Sequence, residues 1–98
     1  MASGNTILSP KLSNGKKVTW TNYHYLVPRD GWLALIAGKP DKTGSSGNGQ
    51  ILIRLGGVDF GAATGYDTGM NTAIVPVYKG DDVELRSGTG ANYCLFIG

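Results

Sequence analysis

The sequence predicts an all-β domain, a sandwich or barrel built from about seven or eight short strands. Runs rich in β-branched, aromatic and aliphatic residues recur along the chain, and turn signals separate them about every 8 to 12 residues. No segment has helical periodicity. The 98 residues include 16 glycines, which favour many tight turns, and their lack of a three-residue period excludes collagen. The length is that of one domain.

The first part of the chain predicts an arm followed by two strands. Residues 1–15 are rich in Ser, Asn, Gly and Lys, and we predict a flexible arm or attachment segment that a partner orders. The domain is predicted to fill residues 16–98. Residues 16–27 predict one strand, because β-branched and aromatic residues alternate there. After a Pro-Arg-Asp-Gly turn, residues 32–38 are continuously apolar and predict a central strand buried on both faces.

Polar loops separate the later strands. Residues 39–50 lack periodicity and predict a surface loop, and residues 61–71 predict a second, Gly-rich loop. Between the two loops a strand is expected at 51–60, with Ile51 and Ile53 on the same face. Three further strands are predicted at 72–78, 82–87 and 93–98.

The hairpin formed by the first two of these strands contains Pro76 and Gly80. Proline cannot donate a hydrogen bond to a neighbouring strand, so Pro76 predicts an edge strand or a bulge. Gly80 can adopt the positive φ that a tight hairpin turn requires. Along the second strand, Val83 and Leu85 are expected to point into the core, while Glu84 points outward.

The net charge of +2 conceals an asymmetry. Residues 1–58 carry seven Lys or Arg against two Asp, giving +5, whereas residues 59–98 carry two against five acids, giving −3. Three lysines near the start are too few to predict a nucleic-acid partner. The asymmetry alternatively fits pairing between unlike faces of neighbouring subunits. The longest apolar run, residues 32–37, is too short to cross a bilayer, and no signal peptide is expected, so we predict no membrane insertion.

Residues that carry chemistry are sparse. His24 is the only histidine, which excludes a multi-histidine metal site within one chain, although copies on a threefold axis remain an alternative. Asp81 and Asp82 are adjacent and point to opposite faces of a strand, so they cannot act together as general acid and base. Asp59 and Asp67 bracket a loop without EF-hand spacing. We therefore expect no cofactor and no enzymatic activity.

One cysteine is present, so no internal disulfide is possible. Cys94 lies in an apolar run, which predicts a buried and inert thiol. Arg54 interrupts an otherwise apolar strand and is predicted to face either solvent or a subunit interface, where an acid of a neighbouring chain would pair with it.

The two loops combine polar side chains with an aromatic ring, a mixture suited to binding a sugar. Solvated connectors are the alternative for both loops. A monomeric, lectin-like carbohydrate-binding module is accordingly one hypothesis for the function. The candidate binding residues are Asp41, Lys42, Ser45, Asn48, Tyr66, Asp67, Met70 and Asn71.

Two segments, YLVPRDGWLALIAG at 25–38 and TAIVPVYKGDDVELRSGTGANYCLFIG at 72–98, resemble a known family. They are similar to the small trimeric jelly rolls at the tips of bacteriophage and prophage fibres, knobs and spikes, which share a fold with tumour necrosis factor and complement globular heads. The resemblance covers about residues 18–98. The matching positions are Pro28, Asp30, Gly31, Trp32, Val75, Pro76, Val77, Lys79, Gly80, Asp81, Val83, Phe96 and Ile97.

This resemblance implies a homotrimeric jelly-roll β-sandwich in a virion or prophage. The implied function is that of a non-enzymatic knob of a fibre, spike or head decoration. It would bind the host surface, and its partners there would include cell-surface glycans. The N-terminal arm would attach to other virion proteins, and the protein would be made in the bacterial host cytoplasm. Trp32, Arg54 and Phe96 are the predicted subunit-interface residues. The family's usual coiled-coil or collagen-like shaft is not seen before the domain.

Overall fold

The computed structural model describes residues 11–39, 48–64 and 69–98. Within them the chain forms eight strands and one short 3-10 helix, Leu12–Asn14. The strands are β1 Lys16–Lys17, β2 His24–Leu26, β3 Gly31–Gly38, β4 Gly49–Leu55, β5 Val58–Ala63, β6 Met70–Val77, β7 Asp82–Gly90 and β8 Asn92–Ile97. The predicted all-β class is confirmed.

The strands form two antiparallel four-stranded sheets. Sheet A has the order β1-β8-β3-β6, and sheet B has the order β2-β7-β4-β5. The first strand pairs with the last, the second with the seventh, the third with the sixth and the fourth with the fifth. The chain is therefore one long hairpin, with its tip between β4 and β5, wrapped into a β-sandwich. This order is compatible with a jelly roll.

The single strand predicted at 16–27 is wrong, because the structure divides it into β1 and β2. Asn22 and Tyr23 have φ values of 53° and 68°, and the residues on either side, Thr21 and His24, exchange two backbone hydrogen bonds of 2.9 Å. A two-residue turn with both φ values positive reverses the chain. The break allows β1 to lie in sheet A and β2 in sheet B.

The single strand predicted at 51–60 is wrong for a similar reason. Gly56 and Gly57 have φ values of 59° and 79°, and they form the turn of the hairpin that joins β4 to β5. The predicted face is confirmed, since Ile51 and Ile53 are both buried. Within β4, the register against β7 shifts between Leu52 and Ile53, which marks a bulge.

The central strand predicted at 32–38 is confirmed as β3, which lies between β8 and β6. Leu33 and Leu35 point into the space between the sheets, whereas Ala34 and Ile36 belong to a separate cluster on the other face of sheet A. Each fully buried Val, Leu or Ile contributes about 1.5 to 3 kcal/mol. The buried residues between the sheets are Val27, Leu33, Leu35, Ile51, Ile53, Val77, Val83, Cys94 and Phe96.

The hairpin between β6 and β7 follows the sequence closely. Pro76 lies on β6, an edge strand of sheet A, as its missing N–H predicts. Gly80 has a φ of 92°, and the Asp81 carboxylate accepts a hydrogen bond of 2.9 Å from the Tyr78 backbone N–H. The edge position of the proline and the positive φ of the glycine are both confirmed.

The thiol of Cys94 is buried, as predicted. Burial raises the pKa of Cys94 to about 12, because a thiolate is poorly solvated between the two sheets. The thiol is therefore neutral at physiological pH and has little nucleophilic character.

Candidate functional site

The two long connections of the chain emerge at the same end of the sandwich, which we call the loop end. Gly38, where β3 ends, is paired with Met70, where β6 begins. Gly49, where β4 begins, is paired with Gly90, where β7 ends. The Gly38 backbone N–H also donates to the Ala91 carbonyl at 2.8 Å, which joins the two sheets at this end.

Backbone hydrogen bonds hold the described part of the loop end together. The Ala91 N–H donates to the Asn48 carbonyl at 3.0 Å, and the Thr64 N–H donates to the Gly49 carbonyl at 2.9 Å. The Gly49 N–H in turn donates to Thr64 Oγ1 at 2.8 Å. The strands that flank both loops are thus tied to one another, which provides a firm base for the loops.

A shallow groove of about 350 Å³ lies on this base. Glycine is required in its floor: a Cβ at Gly49 would lie 1.7 Å from the Ala91 carbonyl oxygen, and a Cβ at Gly90 would lie 2.2 Å from that of Asn48. Gln50, Thr64 and Thr89 were not predicted from sequence, because nothing in their local pattern separates them from ordinary strand ends. The lining residues are Asn48, Gly49, Gln50, Ala63, Thr64, Thr89 and Gly90.

Three of the eight predicted binding residues lie in the described part of the chain. Asn48 lines the groove. The Asn71 side-chain amide donates to the Ala63 carbonyl at 2.5 Å, so it holds β6 to β5. Met70 packs against the outer cluster of sheet A. The predicted residues Asp41, Lys42, Ser45, Tyr66 and Asp67 lie outside the described residues.

The outer face of sheet A, which we call the apolar face, is built by alternate residues of its strands. Ala34, Ile36 and Ile97 are at most 4% exposed. Beside them, Trp32, Met70, Tyr93 and Leu95 are half-buried and pack against these three residues. The strand register extends the face along β6 through Thr72, Ile74 and Pro76.

The outer face of sheet B, which we call the charged face, has two ion pairs and one histidine–carboxylate hydrogen bond among the described residues. Arg54 Nε is 2.8 Å from Asp59 Oδ1, and this hydrogen bond lowers the pKa of Asp59 below its ordinary value. Arg86 Nη1 lies 3.1 Å from Glu84 Oε2, so Glu84 points outward as predicted. The hydrogen bond joins His24 Nδ1 and Asp82 Oδ1 at 3.0 Å.

The three predicted interface residues lie in three different environments. Trp32 is on the apolar face. Arg54 is on the charged face and pairs with Asp59 of the same chain. Phe96 is buried between the sheets, with its ring centroid 6.2 Å from that of Tyr25 and 5.2 Å from the Arg29 guanidinium carbon. The structure does not bring them together.

The carboxylates of the described residues do not converge on one point. The Asp81 carboxylate accepts a hydrogen bond from the Tyr78 backbone N–H, while the Asp82 carboxylate lies beside the His24 ring. No group of three or more His, Cys, Asp or Glu side chains within residues 11–39, 48–64 and 69–98 is placed to hold a metal ion. None of the helices in these ranges has the length and hydropathy needed to cross a membrane.

Comparisons with protein-family models, with curated proteins and with solved structures found no match to this chain. The features of the chain that bear on its function are the fold, the loop end and the contrast between the apolar and charged faces.

Proposed function

We propose that this chain is a non-enzymatic structural protein of a bacteriophage or prophage. Its domain is a homotrimeric jelly-roll knob that terminates or decorates a fibre, a spike or the head, and its loop end contacts the host surface. The nested pairing of the eight strands supports the jelly roll.

The position of the loop end relative to the start of β1 is the observation that carries the proposal. Strand β8 runs from Asn92 at the loop end to Ile97 at the opposite end of the sheet. Lys16, the first residue of β1, pairs with Phe96, close to the opposite end. Arg29 Nη2 donates to the Gly98 carbonyl there at 3.0 Å. Strand β1 therefore starts near one end of sheet A, and the strand ends that flank the two long loops lie at the other.

This arrangement suits a knob, because a knob must be attached at one end and remain accessible at the other. The tied strand ends under the loops are a rigid scaffold of the kind that positions binding loops. The polar groove between Gln50, Thr64 and Thr89 suits a ligand with many hydroxyl groups, such as a surface glycan.

The molar mass of the purified full-length protein tests the assembly. Light scattering coupled to gel filtration is expected to give a mass near three times the 10.3 kDa of one chain. A mass of one chain at micromolar concentration would contradict the homotrimer.

The groove also favours a second candidate, a monomeric carbohydrate-binding module. In that case a glycan array would identify a ligand for a protein with the mass of one chain. Gln50→Ala, in the groove, would weaken the binding, whereas Thr72→Ala on the apolar face would not. An array without any binder would contradict this second function.

A further inference from the structure

We propose that the turn formed by Asn22 and Tyr23 is a binding site for neutral glycans, in which a pyranose ring stacks on the Tyr23 side chain. This turn leads into β2, the edge strand of sheet B. The site, which we call the turn site, shares no described lining residue with the groove at the loop end. Its lining residues are Asn22, Tyr23, His24, Glu84, Leu85 and Arg86.

The backbone of the turn is the first argument, because it favours glycine where the chain has tyrosine. Asn22 and Tyr23 have φ values of 53° and 68°. A two-residue turn with both φ values positive strongly prefers Asn-Gly, and a bulky side chain at positive φ is strained. Tyr23 is therefore a poor choice for the stability of this turn. Strain of this kind gathers at functional sites, where the side chain is needed for another reason.

Packing of the Tyr23 ring does not offset this strain. The residue is 66% exposed, and it is absent from the side chains that pack against the core, which include Tyr25. With the other described residues its side chain forms no hydrogen bond and no contact between rings. The ring is therefore presented to solvent and is free to receive a ligand.

The backbone hydrogen bonds around the turn hold the ring in a fixed place. Thr21 and His24 exchange two bonds of 2.9 Å across the turn, and the Leu85 N–H donates to the Tyr23 carbonyl at 2.8 Å. Leu85 itself packs against the core. The turn is thus tied to β7, and a ligand does not have to order it on binding.

A shallow depression of about 460 Å³ lies beside the ring. Sites for small ligands occupy about 300 to 1,000 Å³ and combine an apolar surface with a few polar groups. Here Glu84 supplies acceptors, Arg86 supplies donors, and the Asn22 amide supplies both. Arg86 donates to Glu84 through Nη1, which leaves its other N–H groups for a ligand.

The charges at the turn site favour a neutral partner. Arg86 Nη1 lies 3.1 Å from Glu84 Oε2, and His24 Nδ1 lies 3.0 Å from Asp82 Oδ1. A nucleic acid or another phosphate compound would require an excess of positive charge. The carboxylates at this site balance the guanidinium, so an acidic ligand gains little from it.

A pyranose fits the ring and the polar groups together. One side of a sugar ring presents C–H groups that can lie flat on a tyrosine, while its hydroxyl groups both donate and accept hydrogen bonds. A proline-rich peptide would instead need a groove lined by aromatic rings, and Tyr23 and His24 are the only rings among the described lining residues. The described lining of the loop-end groove contains no ring.

Glycan binding and stability, measured on the same full-length variants, test the proposal. The probe is an array of neutral oligosaccharides of hexose and N-acetylhexosamine units, with sialylated and phosphorylated oligosaccharides for comparison. We expect Tyr23→Gly to weaken the binding of at least one neutral oligosaccharide by about tenfold or more. Its urea midpoint should equal or exceed that of the wild type, because glycine relieves the strain. Tyr23→Phe keeps the ring and should retain the binding.

Two further variants are the matched controls. Tyr78→Ala removes another tyrosine ring, which is 56% exposed, and Gln50→Ala changes the loop-end groove. The oligosaccharide that Tyr23→Gly no longer holds should bind to both controls as it does to the wild type.

Three results would overturn the turn site. The first is an array on which no neutral oligosaccharide binds, and the second is binding that Gln50→Ala weakens while Tyr23→Gly does not. The third is a urea midpoint that falls further in Tyr23→Gly than in Tyr78→Ala, since the ring would then have a structural role. The molar mass enters none of these results, so the homotrimer stands or falls separately.

Discussion

The two outer faces of the sandwich are built by the same alternation of side chains along the strands, but they differ in composition and in exposure to water. On sheet B, the outward positions include the apolar Leu26 and Leu52. Beside them lie charged side chains that form ion pairs with one another, Arg54 with Asp59 and Arg86 with Glu84. On sheet A, the outward positions hold apolar side chains, and Ala34 and Ile36 are as inaccessible as the core. One face is therefore suited to water, whereas the centre of the other is shielded from water within the chain itself.

The contrast should appear most strongly in a pair of aspartate substitutions. Ile36→Asp buries an unpaired charge on the apolar face and is expected to lower the free energy of unfolding by about 3 to 5 kcal/mol. Leu52→Asp, on the half-exposed outer side of β4, should cost only about 1 kcal/mol. Urea unfolding followed by circular dichroism measures both.

A milder variant keeps this test informative if Ile36→Asp does not fold. Ile36→Val should cost about 0.5 to 1.5 kcal/mol. Equal losses for Ile36→Asp and Leu52→Asp would show that the apolar face is no more sensitive to charge than the charged face.

Truncation of the Trp32 side chain should have the next largest effect. Trp32→Ala removes a half-buried indole and is expected to reduce the free energy of unfolding by about 1 to 2 kcal/mol. Leu26→Ala removes a side chain that is 68% exposed and should stay within about 0.5 kcal/mol of the wild type. Urea midpoints at fixed protein concentration compare the two variants. An unchanged midpoint in Trp32→Ala would show that packing of the indole on this face adds nothing to stability.

Acid should affect the two faces differently. Because the folded-state pKa of Asp59 is lowered by the Arg54 hydrogen bond, this carboxylate stabilises the fold above its ordinary pKa of 3.8. That contribution is lost as the pH falls through the lowered value. Asp30 behaves in the same way, because the Lys79 backbone N–H donates to it and lowers its pKa.

Urea unfolding from about pH 5 to about pH 2.5 tests this direction. The wild type should lose more stability over this range than Asp59→Asn, which cannot be protonated. Identical pH profiles would show that the ion pair adds nothing to stability. The described residues of the apolar face carry no carboxylate or histidine. In a Trp20→Phe background, where Trp32 is the remaining tryptophan, its fluorescence should therefore change only when the whole fold does.

The smallest effect is expected from the exposed pair itself. Arg54→Ala and Asp59→Ala should each shift the urea midpoint only slightly, because solvent screens an exposed ion pair. A double-mutant cycle measures their coupling. A coupling as large as the loss in Ile36→Asp would reverse the comparison and make the charged face a major source of stability.

Several features could be predicted because local chemistry decides them. The apolar run of β3 requires burial on both faces, Pro76 requires an edge, and Gly80 supplies a positive φ. The break at Asn22 and Tyr23 was missed, because the apparent alternation continues through it and non-glycine residues rarely adopt positive φ. Asn22 was a weak local signal, because Asn adopts positive φ several-fold more often than most other residues.

The candidate sites were less predictable because they depend on contacts between distant segments. Thr64 reaches Gly49 across 15 residues, and only the pairing of the strands brings them together. Arg54 lies beside Asp59 because the Gly56–Gly57 turn sets the register of β4 against β5. A sequence pattern identifies Arg54 as outward-facing but does not specify its partner.

Sequence alone was sufficient for the all-β class, the central strand, the buried thiol and the turn chemistry, since each follows from the preferences of neighbouring residues. The tertiary structure decided which side of each sheet faces the partner sheet. Trp32 and Phe96 are both large aromatic residues in apolar strands, yet one lies on the apolar face and the other in the core. Strand alternation defines two faces but not their surroundings, because these depend on where the wrapped hairpin places the opposite sheet.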